Sequence, residues 1–209
     1  MHYPAFDSFL SWEDYLTLDQ SGELRHEYYD GEIIALAGAT NRHNEIVTNL
    51  TVAFKPRATK QGCKFYSESV KLFRHRSDRY LYPDGMLTCN PLDQQSKNGV
   101  RSPLLLVEVI SKSSIQYDFG FKLKAYMAIP SLKHYLVVYQ EECMVHHFAR
   151  NQDDSWTFTL HADMNQSLTI EELDAEISLA AIYQGIEFGP EITYAEEEAA
   201  RYQAEVESE

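Results

Sequence analysis

The 209-residue sequence predicts an α/β fold, a mixed sheet with helices on its faces. Three observations predict it. LLLVEVIS, at positions 104–111, is a near-continuous apolar run, the pattern of a central strand covered on both sides. From Asn41 onward, the apolar periodicity reads helix, strand, strand, strand, helix, strand. Before that core, Asp30-Gly31 separates LRHEYY from EIIAL, a two-residue hairpin signal.

The elements follow in order. Ser11 with Asp14 resembles a capping box and opens a short helix, SWEDYLTL. The Asp30-Gly31 hairpin comes next. Thr40 or Asn41 caps a second helix, NRHNEIVTNLTVAFKPRATK, with His43, Ile46, Val47, Leu50 and Phe54 on one face. Pro56 is expected to kink or shorten it. KFYSESVKLF and RYLYPDGMLTC read as two strands, then NPLDQQSKNGVRSP as a polar loop. After LLLVEVIS, the helix YDFGFKLKAYMAI is closed by Pro130. LKHYLVVYQ and CMVHHFAR form a hairpin around Glu141-Glu142, and SWTFTLHA adds a further strand, completing a C-terminal β meander. The expected organisation is a single domain over residues 1–190. The acidic tail, residues 191–209, reads as a frayed helix or disordered.

Composition limits the function classes. No apolar run reaches the ~18 residues of a membrane span. The N-terminus shows no basic-then-apolar leader. Cys63, Cys89 and Cys143 are scattered and lack metal-type spacing, so they read as reduced, buried hydrophobes of a cytoplasmic protein. The net charge of −14 disfavours a nucleic-acid partner at first sight. Its distribution is uneven, since residues 55–79 hold 8 basic and 2 acidic side chains. A local basic patch can bind phosphate even on an acidic protein, although a solvated face has the same signature.

Two charges interrupt otherwise apolar strands. Asp84 follows Pro83 in the middle of YLYPDGMLTC, and Glu108 interrupts LLLVEVIS. Proline removes a ladder donor and aspartate is a poor strand former, so the Pro-Asp pair breaks a strand rule. An isolated buried carboxylate is costly, so it pairs, protonates or binds a metal. Singly, each residue reads as an ion pair at a sheet edge. Together, on consecutive strands, they form an oxygen-ligand pair suited to Mg²⁺ or Mn²⁺, which would activate a water against a phosphoryl group.

These residues carry a resemblance. Pro83-Asp84, followed by Glu108-Val-Ile on the next strand, looks like the PD-(D/E)XK nuclease signature. RHEYYDGEI, NRHN, FYSES with YPDG, LLLVEVIS, DFGFKLKAY and PSLKHYLVV run in the order of the Uma-type restriction endonuclease family. The resemblance covers roughly residues 10 to 185. It implies a restriction-endonuclease-like core, a Mg²⁺-dependent site cleaving DNA phosphodiesters, and a homodimer. One position departs from the superfamily pattern. The signature lysine, two residues after the glutamate, is Ile110 here. In the Uma-type pattern a lysine of the following helix matches Lys122, with Lys124 as second choice. From spacing alone, the better reading of Lys122 is a surface partner of Asp118.

The supporting residues keep alternatives. Glu27 matches a recurrent family glutamate and is either a further metal ligand or a partner of Arg25 or a lysine. His43 lies on an apolar stripe and is either a satisfied core histidine or a phosphate contact. Lys55, Lys60, Lys64, Arg74 and Arg76 are the candidate phosphate contacts. His146-His147 would point to opposite faces of a strand, a poor chelating pair. The leading function is a Mg²⁺- or Mn²⁺-dependent endonuclease acting on DNA. The alternatives are an inactive nuclease-fold binding or dimerisation module, and a Mg²⁺-dependent nucleotide phosphohydrolase.

Overall fold

The computed structural model describes residues 14–15, 26–29, 32–35, 39–73, 79–111, 120, 122–189, 196 and 202. The expected N-terminal hairpin forms from β1 (His26–Tyr29) and β2 (Glu32–Ala35). Helix α1 (Asn41–Lys60) starts at Thr40, whose hydroxyl oxygen accepts from His43 N at 3.1 Å. Helix α1 is not shortened at Pro56 and runs on to Lys60. The proline is exposed and Val52, whose carbonyl loses its donor, is exposed too, so water can replace that bond. The apolar face, from Ile46 through Ala58, anchors the helix on both sides of the break.

KFYSESVKLF and RYLYPDGMLTC are each two strands rather than one. The first divides into β3 (Lys64–Ser67) and β4 (Leu72–Phe73). The second divides into β5 (Arg79–Leu81) and β6 (Gly85–Thr88). The halves belong to different sheets. Glu68 and Ser69, at φ 45° and 56°, form one crossover, and the segment holding Pro83 and Asp84 forms the other. A bond from Glu68 N to Asp84 O, 3.1 Å, ties the two crossovers together. The Pro-Asp pair therefore does not interrupt a strand. It marks where the chain leaves one sheet for another, and there a missing N–H costs no ladder bond.

The main sheet adds β7 (Leu105–Ile110), β8 (His134–Tyr139), β9 (Val145–Arg150) and β10 (Trp156–His161). Its order is β10-β9-β8-β7-β6-β3, with β7 and β8 parallel and its other pairs antiparallel. The small sheet has the order β2-β1-β5-β4. A turn of helix, α2 (Pro91–Gln95), stands in the expected polar loop, with Asn90 Oδ1 accepting from Leu92 N. Helix α3 (Leu123–Met127) follows a π-type winding at Gly120 and Lys122. The hairpin of β11 (Ser167–Ile170) and β12 (Ala175–Ser178) and the turn α4 (Leu179–Ile182) close the described fold. That hairpin is absent from the sequence reading: its strands have four residues each, too short for their alternation to stand out.

Both faces of the main sheet are covered at its central strands β7 and β8. Leu105, Val107 and Val109 pack with α1, β11, β12 and α4. Leu106 and Ile110 point the other way and pack with Tyr126 and Ile129. Burial on both sides explains the unbroken apolar run of β7.

The cysteine expectation is corrected. Cys63 and Cys89 form a disulfide, leaving Cys143 as the free thiol. The two lie one step beyond the Lys64↔Thr88 pair of β3 and β6, with Cα atoms 4.2 Å apart. Separated by 26 positions in sequence, they become neighbours through strand pairing alone. No helix among the described residues is long and apolar enough to cross a membrane. The capping-box residue Ser11, most of the tail, residues 112–116, and residues 117–119 and 121 of the predicted YDFGFKLKAYMAI helix lie outside the described residues.

Candidate nuclease site

The β6–β7 register pairs Gly85 with Val107. Continued by one residue, it sets Asp84 opposite Glu108, on the face that bears Leu106 and Ile110. The expected juxtaposition of the two carboxylates thus follows from the ladder. Asp84 is partly exposed, and its Oδ2 accepts from Val109 N at 2.7 Å. The side chain thus supplies the acceptor for a β7 backbone donor just beyond the last β6–β7 pair. The same oxygen lies 3.3 Å from His43 Nε2, so the first turn of α1 reaches the site.

Glu108 is buried, and its Oε1 receives two donors. Lys122 Nζ lies 3.1 Å away and the Tyr126 hydroxyl donates at 2.6 Å. Lys122 is itself buried and also lies 3.2 Å from Glu27 Oε1. Glu27, in β1, accepts from Tyr82 N at 2.9 Å. One ammonium therefore bridges two buried carboxylates that come from different sheets. Burial, and then the charge of Glu108, hold the Tyr126 phenol well above its ordinary value, so it remains a donor. The ensemble Glu27, Lys122, Glu108 carries one net negative charge, and Asp84 adds a second.

The expected residues are thus sorted. Asp84, Glu108, Lys122, Glu27 and His43 converge. Lys122 rather than Lys124 faces the carboxylates; Lys124 is exposed. Ile110 is buried in the second core, so the ammonium comes from the helix and not from the strand. Glu27 does meet a lysine, though from the helix rather than a neighbouring strand. Lys55 and Lys60 are exposed on α1, about 18 Å and about 26 Å beyond His43 by helical rise. Lys64 pairs opposite Thr88, at the end of β6 away from Asp84, and donates to Gln94 O. Arg74 and Arg76 lie outside the described residues. His147 turns inward to His134 Nδ1 at 2.9 Å, while His146 sits against Tyr139 and Phe158, so the two do diverge. Sequence reasoning missed Tyr126 as a donor to Glu108, although its i+4 spacing from Lys122 placed both on one helix face. The backbone donors Tyr82 N and Val109 N left no sequence signal.

Among the described residues no cluster of three metal-ligating side chains is assembled. The donor chemistry nonetheless fits a hard divalent ion. Mg²⁺ is commonly bound through one or two carboxylates, with waters and substrate phosphate completing its shell. Asp84 and Glu108 supply that number of ligands, with Asp84 open to solvent on one side.

Comparison with known proteins bears on the family and the fold. The sequence profile of the Uma2 family, described as "Putative restriction endonuclease", matches residues 12–181. An uncharacterised protein of Synechocystis sp. is 30% identical over 179 residues, covering 86% of this chain and 94% of its own. A second uncharacterised protein of that organism is 29% identical over 157 residues, covering 74% of this chain and 89% of its own. The crystal structure of a putative nuclease belonging to DUF820, from Anabaena variabilis, superposes with a TM-score of 0.70 at 13% identity. It covers 85% of this chain and 99% of its own, and it shows a shared fold.

Proposed function

The chain belongs to the Uma2 family of restriction-endonuclease-like proteins, and from that membership we propose that it is a metal-dependent endonuclease hydrolysing DNA phosphodiester bonds. The observation that carries the reading is the position of Lys122, 3.1 Å from Glu108 on the strand opposite Asp84. A helix-borne ammonium there answers the absence of a lysine at Ile110. Asp84 and Glu108 would hold Mg²⁺ or Mn²⁺, which when bound polarises a phosphoryl oxygen and acidifies the attacking water.

The chain's own groups do the rest. Tyr126 and Lys122 both bond Glu108 Oε1 and fix the orientation of that carboxylate. Val109 N and His43 do the same for Asp84. Lys122 brings positive charge to where negative charge grows on the phosphate. Glu27 restrains Lys122 from the far side and is a positioning residue rather than a metal ligand. By the family resemblance, the protein would act as a homodimer.

A second reading rests on the same ion pairs. Lys122 already bridges two carboxylates, as in a structural network of an inactive nuclease fold kept for binding. A cleavage assay separates the two. The expected result is nicking of supercoiled plasmid in Mg²⁺ or Mn²⁺, lost in EDTA and in Asp84→Ala. Protein that is folded and cleaves no form of DNA with either ion supports the second reading.

A further inference from the structure

A cavity of about 770 Å³ opens between β4–β5 and the segment 96–101. None of the four site carboxylate and ammonium groups lines it. Its wall carries Lys71, Lys97 and Arg101 together with the rings of Tyr66, Phe73 and Tyr80. The wall is fastened by backbone bonds. Phe73 N donates to Val100 O and Val100 N donates to Lys71 O, both at 2.8 Å. Gly99 sits in that joint at φ 144°, where a Cβ would fall 2.3 Å from Lys71 O and 2.4 Å from Phe73 Cε2. Only glycine allows the loop this close an approach.

The charges are arranged over the rings. The Arg101 guanidinium lies 4.7 Å from the Phe73 ring centre and the Lys71 ammonium 5.9 Å from that of Tyr80. Phe73 and Tyr80 meet edge to face at 4.9 Å. Asp93 is the acidic residue among the described lining, and it is buried. Its carboxylate is engaged by Arg101 N, Ser102 N and the Thr88 hydroxyl. Among the described lining, three cations stand beside one internally bonded carboxylate, on a chain of net charge −14.

We propose that this cavity takes one unpaired nucleotide of a nucleic-acid strand, its base against the ring of Tyr66 and its phosphates on Lys97, Arg101 and Lys71, the last two of which already cover faces of Phe73 and Tyr80. Aromatic faces stack any base once it leaves a helix, and cations beside them follow the backbone. A duplex keeps its bases inside the stack and cannot fill a ring-lined cavity. The inference rests on the nuclease reading and narrows it to substrates with a single-stranded portion, such as a flap, overhang or melted segment. Tyr80 stands four residues before Asp84, at most about 13 Å of extended chain, so one strand can span both.

Fluorescence anisotropy in EDTA tests this without cleavage. The probes are a labelled single-stranded oligonucleotide and its duplex, with a nucleoside monophosphate as competitor. The single strand is expected to bind more tightly than the duplex. Lys97→Gln and Arg101→Gln, both at exposed positions, should each weaken it and lower the salt slope by about 0.7. Tyr66→Leu should weaken binding roughly tenfold with the salt slope unchanged. The proposal is overturned if the Lys97→Gln/Arg101→Gln double variant keeps wild-type affinity and slope. It is also overturned if the duplex binds as well as the single strand, or if the monophosphate competes as well as the strand. Protein that binds the strand through Lys97 and Arg101 yet cleaves nothing keeps the cavity and loses the nuclease. Protein that cleaves, with the double variant unimpaired in strand binding and cutting, keeps the nuclease and loses the cavity.

Discussion

At the scale of single residues the site is an electrostatic balance around Lys122. Its ammonium lies within 3.2 Å of two carboxylates, all three groups being at most 5% exposed. Removing one partner of a buried ion pair leaves uncompensated charge and costs about 3–5 kcal/mol. Lys122→Met should therefore destabilise the protein by that order, measured by chemical denaturation at neutral pH. Adding the Glu27→Gln change should recover part of the loss, because it removes one stranded charge. A loss under 1 kcal/mol in Lys122→Met would mean that the bridge is not held in solution. Asp84 and Glu108 were legible because a carboxylate in an apolar strand needs an explanation, whereas Lys122 and Glu27 were expected only from the family resemblance. Tyr126 was less so, since a tyrosine on a core face usually needs none. Lys55 and Lys60 do not adjoin the carboxylates: the basic run of residues 55–79 is contiguous in sequence, but helical rise carries its first members away from His43.

At the scale of elements, the two long strands of the sequence reading became four because alternation continues through a crossover. Pro83 and the positive-φ pair Glu68-Ser69 are the physical marks of the break. Only pairing shows that they face each other. The same holds for Cys63 and Cys89, which are brought together by the β3–β6 register. Strand β9 carries a testable pH effect. Burial, then the neighbouring His134 and His161, push His147 down to about 3, from an ordinary value of 6.5. The folded protein thus binds fewer protons here than the unfolded chain, so this group's stability contribution is complete above pH 6.5 and falls as the pH drops toward 3. Between pH 7 and pH 5 the loss is about 2 kcal/mol. Glu172, whose carboxyl is held low chiefly by its bond to His134, acts in the same direction at lower pH. Denaturation at pH 7 and pH 5 should show that loss, and His147→Gln should remove most of it. An equal pH dependence in the variant would assign the effect elsewhere.

At the scale of the whole molecule, the mixed sheet, its first helix and its N-terminal hairpin were legible because periodicity and turn chemistry agreed along most of the chain. The C-terminal hairpin of β11 and β12 and the division into two sheets were not, since both depend on contacts between distant segments. The two sheets matter for function. Glu27 comes from the small sheet, Glu108 from the main sheet and Lys122 from the helix that covers it, so the site assembles only when all three are docked. The net charge of −14 argues for local rather than global attraction to nucleic acid, and cleavage should accordingly fall steeply with added salt. The central claim is that Asp84 and Glu108 share a divalent ion. A crystal soaked in Mn²⁺, with anomalous differences measured for the wild type and Glu108→Gln, tests it directly. The account predicts one peak bonded to an oxygen of each carboxylate, with Lys122 beside it, and no peak there in the variant. Wild-type density without manganese at this position, or manganese retained unchanged in Glu108→Gln, would contradict it.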